Sequence, residues 1–520
     1  MAAVRFRRYR QKRRFRFVQK PRGAFHPRVQ KVGPEHFGVV SVDPAKARSK
    51  WMLCDFYGNI IVPPTFLVHD RIGFDQALSN IRQAMTGRHL HDLLIAIERT
   101  GSYHRIVQRA FSGAGFETRI VHPFATKQHR QPSDPGNKTD DTDLMAIHRS
   151  AIGGFALIEQ PWDQTSRELC LLIRYRRDLV RQTSRLACQI REHLEASWPG
   201  YAANFYNLWL SEVAWEFFDQ FETPDDILAA GAQGLRDRLR QAQVRFHRET
   251  VERVLNWART APAGEREAML HRRIVMALRA DRQQKCREIQ ALERESAARL
   301  VRTPYILLLS FPGINVVSDA DFAGEMGPIE HYANNRTITG RAGLYPSRYQ
   351  SDQVDTSGAL VRLGNRRLRA AIMAIADNLM GCNHYFRVLA HRWKDQGKDP
   401  RYSHVKIASR FCRIAFQMVA GRQIFHHPGV QQRHYILEKL LAFHREHETP
   451  ADQMLADVEA AMTYLTPKMR RMEAQPLAEQ LRQVQEGRRG PQLLGDILPI
   501  VLARLGVGGL QSRASGERPR

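Results

Sequence analysis

The sequence predicts an α/β domain near the amino terminus, a long helical region in the middle and a mostly helical carboxyl-terminal part. Short apolar runs alternate with helical patterns over residues 36–155, which is typical of a mixed sheet covered by helices. Apolar residues at the helical period then dominate two longer stretches. A chain of 520 residues is long enough for several domains, each with its own core.

The charge of the chain points to a polyanionic partner. Lys and Arg number 79 against 53 Asp and Glu, which gives a net charge of +26 and a pI near 10.3. Such a surplus is typical of proteins that bind nucleic acid, although a basic surface kept for solubility is the alternative. The six cysteines lie far apart, so neither a disulfide framework nor a structural zinc is indicated, and a reducing cytoplasm fits. The sequence shows no apolar run of about 18 residues, so we expect no membrane span.

Residues 1–35 are predicted to be a disordered basic arm. The first 31 residues contain many Arg and Lys, interleaved aromatic residues and no acid. Like charges at this density resist folding on their own. We therefore expect an arm that settles on nucleic acid, with its aromatic rings available for stacking, and an ordinary basic tail is the alternative.

The α/β domain is predicted over residues 36–155. Phe37–Asp43 and His91–Glu98 are apolar runs that each close on a carboxylate, as buried strands that end at one edge of a sheet would. A Gly-Asn turn between two apolar runs predicts a β-hairpin after the first strand. The polar stretch 126–139 is predicted to be a loop.

Residues 160–302 are predicted to be helical. Two long stretches, at 164–196 and about 265–302, carry apolar residues near the helical period. They are expected to form an antiparallel pair or a coiled-coil stalk that brings subunits together. Residues 200–262 lie between them, are rich in Trp and Phe, and are predicted to be an inserted helical subdomain.

Residues 303–425 are predicted to be a separate, mostly helical domain that contacts phosphate groups. The turn at Gly313 resembles that of a helix-hairpin-helix, whose N–H groups face a phosphate. A later helix opens with a cationic first turn, where an external anion would offset the unfavourable helix dipole. The candidate nucleic-acid contacts are Lys138, Gly313, Arg362, Gly364, Asn365, Arg366, Arg367 and Arg369. Residues 426–520 are predicted to be a basic extension with short helices and a disordered end.

Four carboxylates are the candidate catalytic and metal-binding residues. Asp43 and Glu98 close the two strands, and Asp140 and Asp143 share a helix face, while Asp141 competes with Asp140. Four acids in one place would repel one another unless a divalent cation neutralised them. We therefore expect Mg²⁺ or Mn²⁺ at this edge, and surface acids with a capping aspartate are the alternative.

At these residues the chain resembles the RuvC-like DEDD transposases of the insertion sequence one-ten type. The resemblance rests on VVSVDPAK, IAIERTGSYH and KTDDTD in the first half, and on LLLSFPGIN, ITGRAGLYPSRYQSD and GNRRLRAAI in the second. Each motif is weak alone, but the six in this order are a strong signal. The resemblance covers roughly 37–150 and 160–420, apart from the insertion.

The resemblance implies a RuvC-like ribonuclease-H fold, a coiled-coil dimerisation stalk and a second catalytic domain with a nucleophilic serine. The family's serine falls on Ser351, with Ser347 and Ser357 as rivals, and Asp352 follows where the family often has Gly. It also implies a noncoding bridge RNA that pairs with donor and target double-stranded DNA.

On this basis we expect a transposase or recombinase that acts through metal and serine, as a homodimer or homotetramer near the bacterial nucleoid in the cytoplasm. A RuvC-like structure-specific endonuclease, such as a junction resolvase, would use the same acids with water. A nucleic-acid-binding protein with decayed catalysis is disfavoured by the complete set of carboxylates.

Overall fold

A computed structural model describes residues 26–131, 136–351, 354–362, 364–427, 430, 433–485 and 492–506. The chain divides into two compact units, Met1–Pro161 and Trp162–Arg520, which are described one at a time. Within the described ranges, every helix is too short or too polar to span a bilayer.

The first unit is built on a six-stranded mixed sheet of order β3-β2-β1-β4-β5-β6. Its strands are β1 (Phe37–Pro44), β2 (Arg48–Asp55), β3 (Ile60–Val68), β4 (Asp92–Glu98), β5 (Glu117–Val121) and β6 (Ala156–Leu157). β1 pairs antiparallel with β2 and parallel with β4, and β5 runs parallel to β4. The predicted α/β domain and its β2–β3 hairpin are confirmed, and the sheet is consistent with a ribonuclease-H-like fold.

Helices cover both faces of this sheet. They are α1 (His26–Val32), α2 (Arg71–Gly87), α3 (His104–Gly113), α4 (Pro123–Arg130) and α5 (Asp140–Ile152). Val40 and Val42 of β1 point into a core shared with α2 and α3. Phe37 and Val39 point to the opposite face, where they pack with apolar residues of α5. Because side chains alternate along a strand, the odd-numbered positions of β1 all face α5.

Two predicted irregular segments of this unit are wrong where the structure describes them. Residues 26–35 belong to the predicted disordered arm, yet α1 forms there, because Val29 is buried and Arg28 pairs with Asp92 and Glu117. The first five residues of the predicted loop 126–139 are helical, since α4 continues to Arg130. Residues 1–25 of the arm lie outside the described residues.

Two long helices organise the second unit. They are α6 (Gln164–Ser197) and α10 (Ala268–Leu300), of 34 and 33 residues, and each is about 50 Å long. They run antiparallel, because Arg299 near the end of α10 pairs with Glu168 near the start of α6 at 2.9 Å. The predicted antiparallel pair is therefore confirmed, while its role in dimerisation stays a prediction.

The segment between the long helices has its own aromatic core. Its helices are α7 (Glu212–Gln220), α8 (Pro224–Gln241) and α9 (Arg248–Thr260), and two short 3₁₀ turns precede them at Tyr201–Asn204 and Leu208–Leu210. Trp198, Tyr201 and Phe218 are among its largest fully buried side chains. Arg279 and Arg282 of α10 lie over the rings of Trp215 and Trp209 at 4.5 and 4.3 Å. These cation–π contacts join the predicted inserted subdomain to the long pair.

The remaining helices share one core. They are α11 (Val316–Met326), α12 (Asn335–Ala342), α13 (Arg366–Cys382), α14 (His384–Asp395), α15 (Pro400–Ala420), α16 (Ile436–Glu446), α17 (Ala451–Met462), α18 (Pro467–Gln485) and α19 (Gln492–Arg504), with 3₁₀ helices at Pro304–Ser310 and Ile329–His331. Ile436, Leu440 and Leu498 of the predicted basic extension pack in the same core as Phe311 and Phe411. The short helices of this extension are thus part of the packed body in the described ranges.

A β-hairpin begins at Pro346 in the part of the chain predicted to be mostly helical. β7 (Pro346–Ser351) pairs antiparallel with β8 (Val354–Leu360). The turn at Gly313 follows a 3₁₀ helix and precedes α11, and Gly313 takes a φ of +81°, which favours glycine. Its assignment to a helix-hairpin-helix stays a prediction.

Candidate active site

The parallel pairing of β1 and β4 brings Asp43 and Glu98 side by side. Val42 is aligned with Ile97, so the next residue on each strand is one of the two acids, at the carboxyl end of the strand. Asp43 shares the α5 side of the sheet with Val39, and Glu98 shares it with Ala96. The two strand-end carboxylates therefore meet on the face that α5 covers.

The third acidic group is carried by the first turn of α5. A reciprocal cap between Thr139 and Thr142 starts this helix, with the Thr142 N–H donating to Thr139 Oγ1 at 3.2 Å. Asp143 lies on the buried side of the helix and is 5% exposed, whereas Asp140 is exposed. The cap thus fixes the turn that presents Asp140 and Asp143 to the end of β1.

The other three acids of the set act on the pKa of Asp43. Burial raises this pKa most, and the negative charges of Glu98, Asp143 and Asp140 raise it further, to about 7. A hydrogen bond with Glu98 contributes in the same direction. The carboxyl of Asp43 thus keeps its proton up to near neutral pH, as expected for a crowded carboxyl without a cation.

Two cations also reach this cluster. Arg130, the last residue of α4, forms an ion pair with Asp143 in which both side chains are mostly buried. Lys50 of β2 is aligned with Asp43 across the sheet, and its Nζ lies 2.7 Å from Asp141. Asp141, the competitor of Asp140, is therefore engaged by a lysine.

The donor set fits a hard divalent cation by its chemistry. Four carboxylates supply the oxygen ligands that Mg²⁺ and Mn²⁺ take. Among the described residues, no three side chains of His, Cys, Asp or Glu already stand in an arrangement that would hold an ion. Arg130 has to release Asp143 before all four acids could share one.

Ser351 belongs to the second unit, at the end of β7. It is exposed and aligned with Val354, and residues 352–353, which include Asp352, lie outside the described residues. The rival Ser347 donates its Oγ–H to the Ala359 carbonyl at 3.1 Å. Ser357 is aligned with Arg348 in the backbone register. Which of the three serines is the nucleophile stays a prediction.

Comparison with known proteins yields matches in both halves of the chain. A family model of DEDD transposases of the IS110 type matches residues 40–199, and one described as "Transposase IS116/IS110/IS902 family" matches residues 305–390. The chain belongs to the IS110-type DEDD transposase family. A transposase for insertion sequence element IS1328 from Yersinia enterocolitica is 24% identical over 144 residues, which are 27% of this chain and 43% of that protein. The chain thus spans less than half the length of this curated relative.

The two family matches contain the candidate residues of both halves. Asp43, Glu98, Asp140 and Asp143 lie within the first match, and Ser351 lies within the second. The aromatic insertion of this IS110-type chain falls between the two matches, so neither family model includes it.

Several predicted nucleic-acid contacts of this IS110-type chain already have partners inside the protein. Asn365 caps α13 by accepting from the N–H groups of Arg367 and Leu368 at 3.0 and 3.1 Å. Arg369 donates to the carbonyls of Ala342 and Val361 at 2.7 and 2.6 Å. The side-chain cap occupies the helix N-terminus that was expected to hold an external anion.

The other predicted contacts are open to solvent, apart from the turn glycine. The exposed ones are Lys138, Arg362, Gly364, Arg366 and Arg367. At the turn of Gly313, the Nζ of Lys439 donates to the carbonyls of Phe311 and Ile314 at 2.9 and 2.7 Å. The role of the exposed residues and of Gly313 in nucleic-acid binding stays a prediction.

Sequence reasoning missed Arg130, Lys50 and Lys439. Lys50 could have been found, because the short connection between β1 and β2 fixes their antiparallel register, which aligns Lys50 with Asp43. Arg130 lies in the segment predicted to be a loop, and Lys439 lies 126 residues beyond the turn that it braces, so no local pattern marks either residue.

Proposed function

We propose that this protein is the transposase of an insertion sequence and that it cuts and rejoins DNA. The observation that supports the proposal is the placement of Asp43 and Glu98 at the ends of neighbouring parallel strands, on the sheet face covered by the helix that carries Asp140 and Asp143, in a chain that matches family models in both halves. Carboxylates in such a place suit phosphodiester chemistry.

The four acids would hold Mg²⁺ or Mn²⁺. A bound cation would neutralise the cluster and stabilise negative charge on oxygen during phosphodiester exchange. Asp43 would give up the proton that it holds near pH 7, and Arg130 would release the carboxylate of Asp143. The exposed end of α5 leaves Asp140 accessible to an incoming strand.

Ser351 would act as the nucleophile. Its Oγ would attack a DNA phosphorus and lose its proton to a nearby base, while the bond from phosphorus to the 3′ oxygen breaks and that oxygen takes up a proton. The product is a 5′ end joined to the protein through phosphoserine. A new 3′ hydroxyl would then attack this phosphorus and free the serine, so the number of phosphodiester bonds is conserved and no ATP is needed.

Donor and target DNA would be selected by a noncoding bridge RNA. The net charge of +26 supports a nucleic-acid partner, and the exposed basic residues Lys138, Arg362, Arg366 and Arg367 would contact phosphates. Exchange of two strands needs an even number of subunits, so a homodimer or homotetramer would act, joined through the long helical pair. The protein would work at the bacterial nucleoid.

The test is strand exchange by Ser351→Ala in the full-length protein, with its bridge RNA and with donor and target DNA. We expect exchange to fall at least a thousandfold while DNA and RNA binding stay within twofold. Ser347→Ala is the matched control, because it removes a hydroxyl from the same strand, and it should keep most of the activity. Unchanged exchange in Ser351→Ala would remove this serine from the reaction. Metal-dependent cutting that releases free 5′ phosphates would favour the resolvase-like endonuclease.

A further inference from the structure

The β7–β8 hairpin that carries Ser351 is an exposed arm. Residues 346–351, 354–356, 358 and 359 are exposed, so these parts of the hairpin have little packing of their own. A two-stranded hairpin is marginally stable in isolation. The place of Ser351 therefore depends on how the root of the arm is held, where the chain leaves α12 and enters α13.

Arg369 of α13 ties the two ends of the arm together. Its Nε donates to the carbonyl of Ala342, before the arm, and its Nη2 donates to the carbonyl of Val361, after it, at 2.7 and 2.6 Å. Two backbone bonds close the same root, since the Val361 N–H donates to the Tyr345 carbonyl at 3.0 Å and the Asn365 N–H donates to the Arg341 carbonyl at 2.7 Å. Only a forked cation can reach both carbonyls at once.

Gly364 allows this close approach. It has a φ of +146°, and a Cβ at this position would lie 3.0 Å from the Arg341 carbonyl oxygen and 3.1 Å from the Gly343 nitrogen. A side chain here would push the start of α13 away from the end of α12. The Gly-Asn pair at residues 364–365 is therefore explained by the geometry of the root as well as by the cap.

A buried carboxylate links this root to the long helix α6. The Asn365 side-chain amide donates to Glu325 Oε2 at 2.9 Å, and Arg174 donates to both oxygens of Glu325 at 2.9 Å. Glu325 is fully buried. Burial alone would raise its pKa, but hydrogen bonds with Arg174 and Asn365 bring the pKa below its usual value, so the group is charged at neutral pH.

We propose that Arg369, Asn365 and Glu325 form a clamp that positions the arm bearing Ser351 and couples it to α6 through Arg174. The clamp residues are positioning residues and do not themselves touch DNA. The importance of the clamp for catalysis rests on the proposed function of Ser351, whereas the effect of the clamp on the position of the arm does not. Movement of the long helix would reach the arm through the Arg174–Glu325–Asn365 chain of hydrogen bonds.

Two substitutions separate the clamp from other roles. Arg369→Lys keeps the positive charge that a phosphate contact would use, but a single ammonium cannot span both carbonyls. Asn365→Ser keeps a good helix cap, yet the shorter side chain cannot reach Glu325. Arg336→Lys is the matched control, because it makes the same change at an exposed arginine of α12 that has no part in the clamp or in the proposed phosphate contacts.

The measurement is hydrogen exchange of the peptide that spans residues 341–365 in the full-length protein, alongside thermal unfolding and DNA affinity. We expect both clamp variants to exchange this peptide at least fivefold faster, with the Tm, the exchange of α15 and the DNA affinity unchanged. Strand exchange should show a lower maximal rate at an unchanged DNA concentration for half-maximal rate. Arg336→Lys should match the wild type.

Exchange of the 341–365 peptide at the wild-type rate in both variants would overturn the proposal. Weaker DNA binding in Arg369→Lys with an unchanged arm would also overturn it and would make Arg369 a phosphate contact. If Ser351→Ala still recombines, the proposed function fails, but the hydrogen-exchange result remains valid evidence about the clamp.

Discussion

Replacing Asp43 with Asn should change how the stability of the first unit depends on pH. The pKa of Asp43 is raised from 3.8 to about 7 in the folded chain, by burial and by Glu98, Asp143 and Asp140. Between these two values the folded state keeps a proton that the unfolded state has lost, so the free energy of unfolding falls as pH rises. Below pH 3.8 and above pH 7 this contribution is flat.

The size of the effect follows from the pKa. Each pKa unit is worth about 1.4 kcal/mol, so the full change from 3.8 to about 7 corresponds to at most about 4 kcal/mol. Asp43 is only partly buried, so solvent screening reduces the expected loss between pH 5 and pH 8 to about 1–2 kcal/mol. Asn cannot ionise, so Asp43→Asn should lose this pH dependence and gain stability relative to the wild type at pH 8.

The assay is native-state hydrogen exchange of the β1 and β4 amides in the metal-free protein, corrected for intrinsic exchange rates, from pH 5 to pH 8. Asp75→Asn is the matched control, since it removes a carboxylate that is 71% exposed on α2, and it should follow the wild type. Equal pH dependence in Asp43→Asn and the wild type would refute the reasoning, because it would mean that the four acids do not act on one another.

Two further predictions concern the cations. Arg130→Gln should bind Mn²⁺ about three- to tenfold more tightly than the wild type, because the guanidinium no longer competes for Asp143. Electron paramagnetic resonance measures this affinity. Weaker binding would show that Arg130 instead holds Asp143 in place for the ion. DNA affinity should fall by about a hundredfold or more between 50 and 200 mM salt, because the charge of +26 predicts several phosphate contacts; an affinity that is flat over this range in a titration would contradict the phosphate contacts.

The elements that carry the four acids could be predicted because they depend on local patterns. Apolar runs that end in Asp43 and Glu98 identify strand ends, and the carboxyl ends of parallel strands meet at one edge of a sheet. A Thr cap followed by Asp143 at the fourth position marks the first turn of a helix. Each of these signals lies within a few residues, so the sequence alone was sufficient for the strand ends and the helix start, while the catalytic role of the acids stays a prediction.

The arm and its root could not be predicted, because their partners are distant. The segment after Pro346 is polar and exposed, which is typical of a loop, and it pairs as a hairpin whose ends are tied by Arg369. Helix α1 could not be predicted for the same reason. Its basic sequence indicates disorder, but Arg28 forms a hydrogen bond with Asp92, about sixty residues away. Periodicity does not reveal such pairs.

The packing of the helices beyond residue 433 into the core could not be predicted, for a related reason. Their composition is polar and basic, yet Ile436, Leu440 and Leu498 recur on faces that pack against the main core of the second unit. A surface helix buries only one stripe of apolar residues, so the mean hydropathy of the segment does not reveal that stripe. Glu473 also accepts hydrogen bonds from the N–H groups of Ile436 and Leu437. This side chain caps the helix from a distant part of the chain, so no local motif predicts the cap.

The decisive observation is the chemical state of the cut DNA end. The full-length protein, its bridge RNA and a donor duplex are incubated with Mg²⁺, stopped with denaturant and extracted with phenol, and the protein-bound fraction is digested for mass spectrometry. The account predicts that one cut end partitions with the protein through a phosphate on the peptide that contains Ser351, and that neither Asp43→Asn nor Ser351→Ala yields this adduct. Free 5′ phosphates in the aqueous phase, with unmodified Ser351, would contradict it.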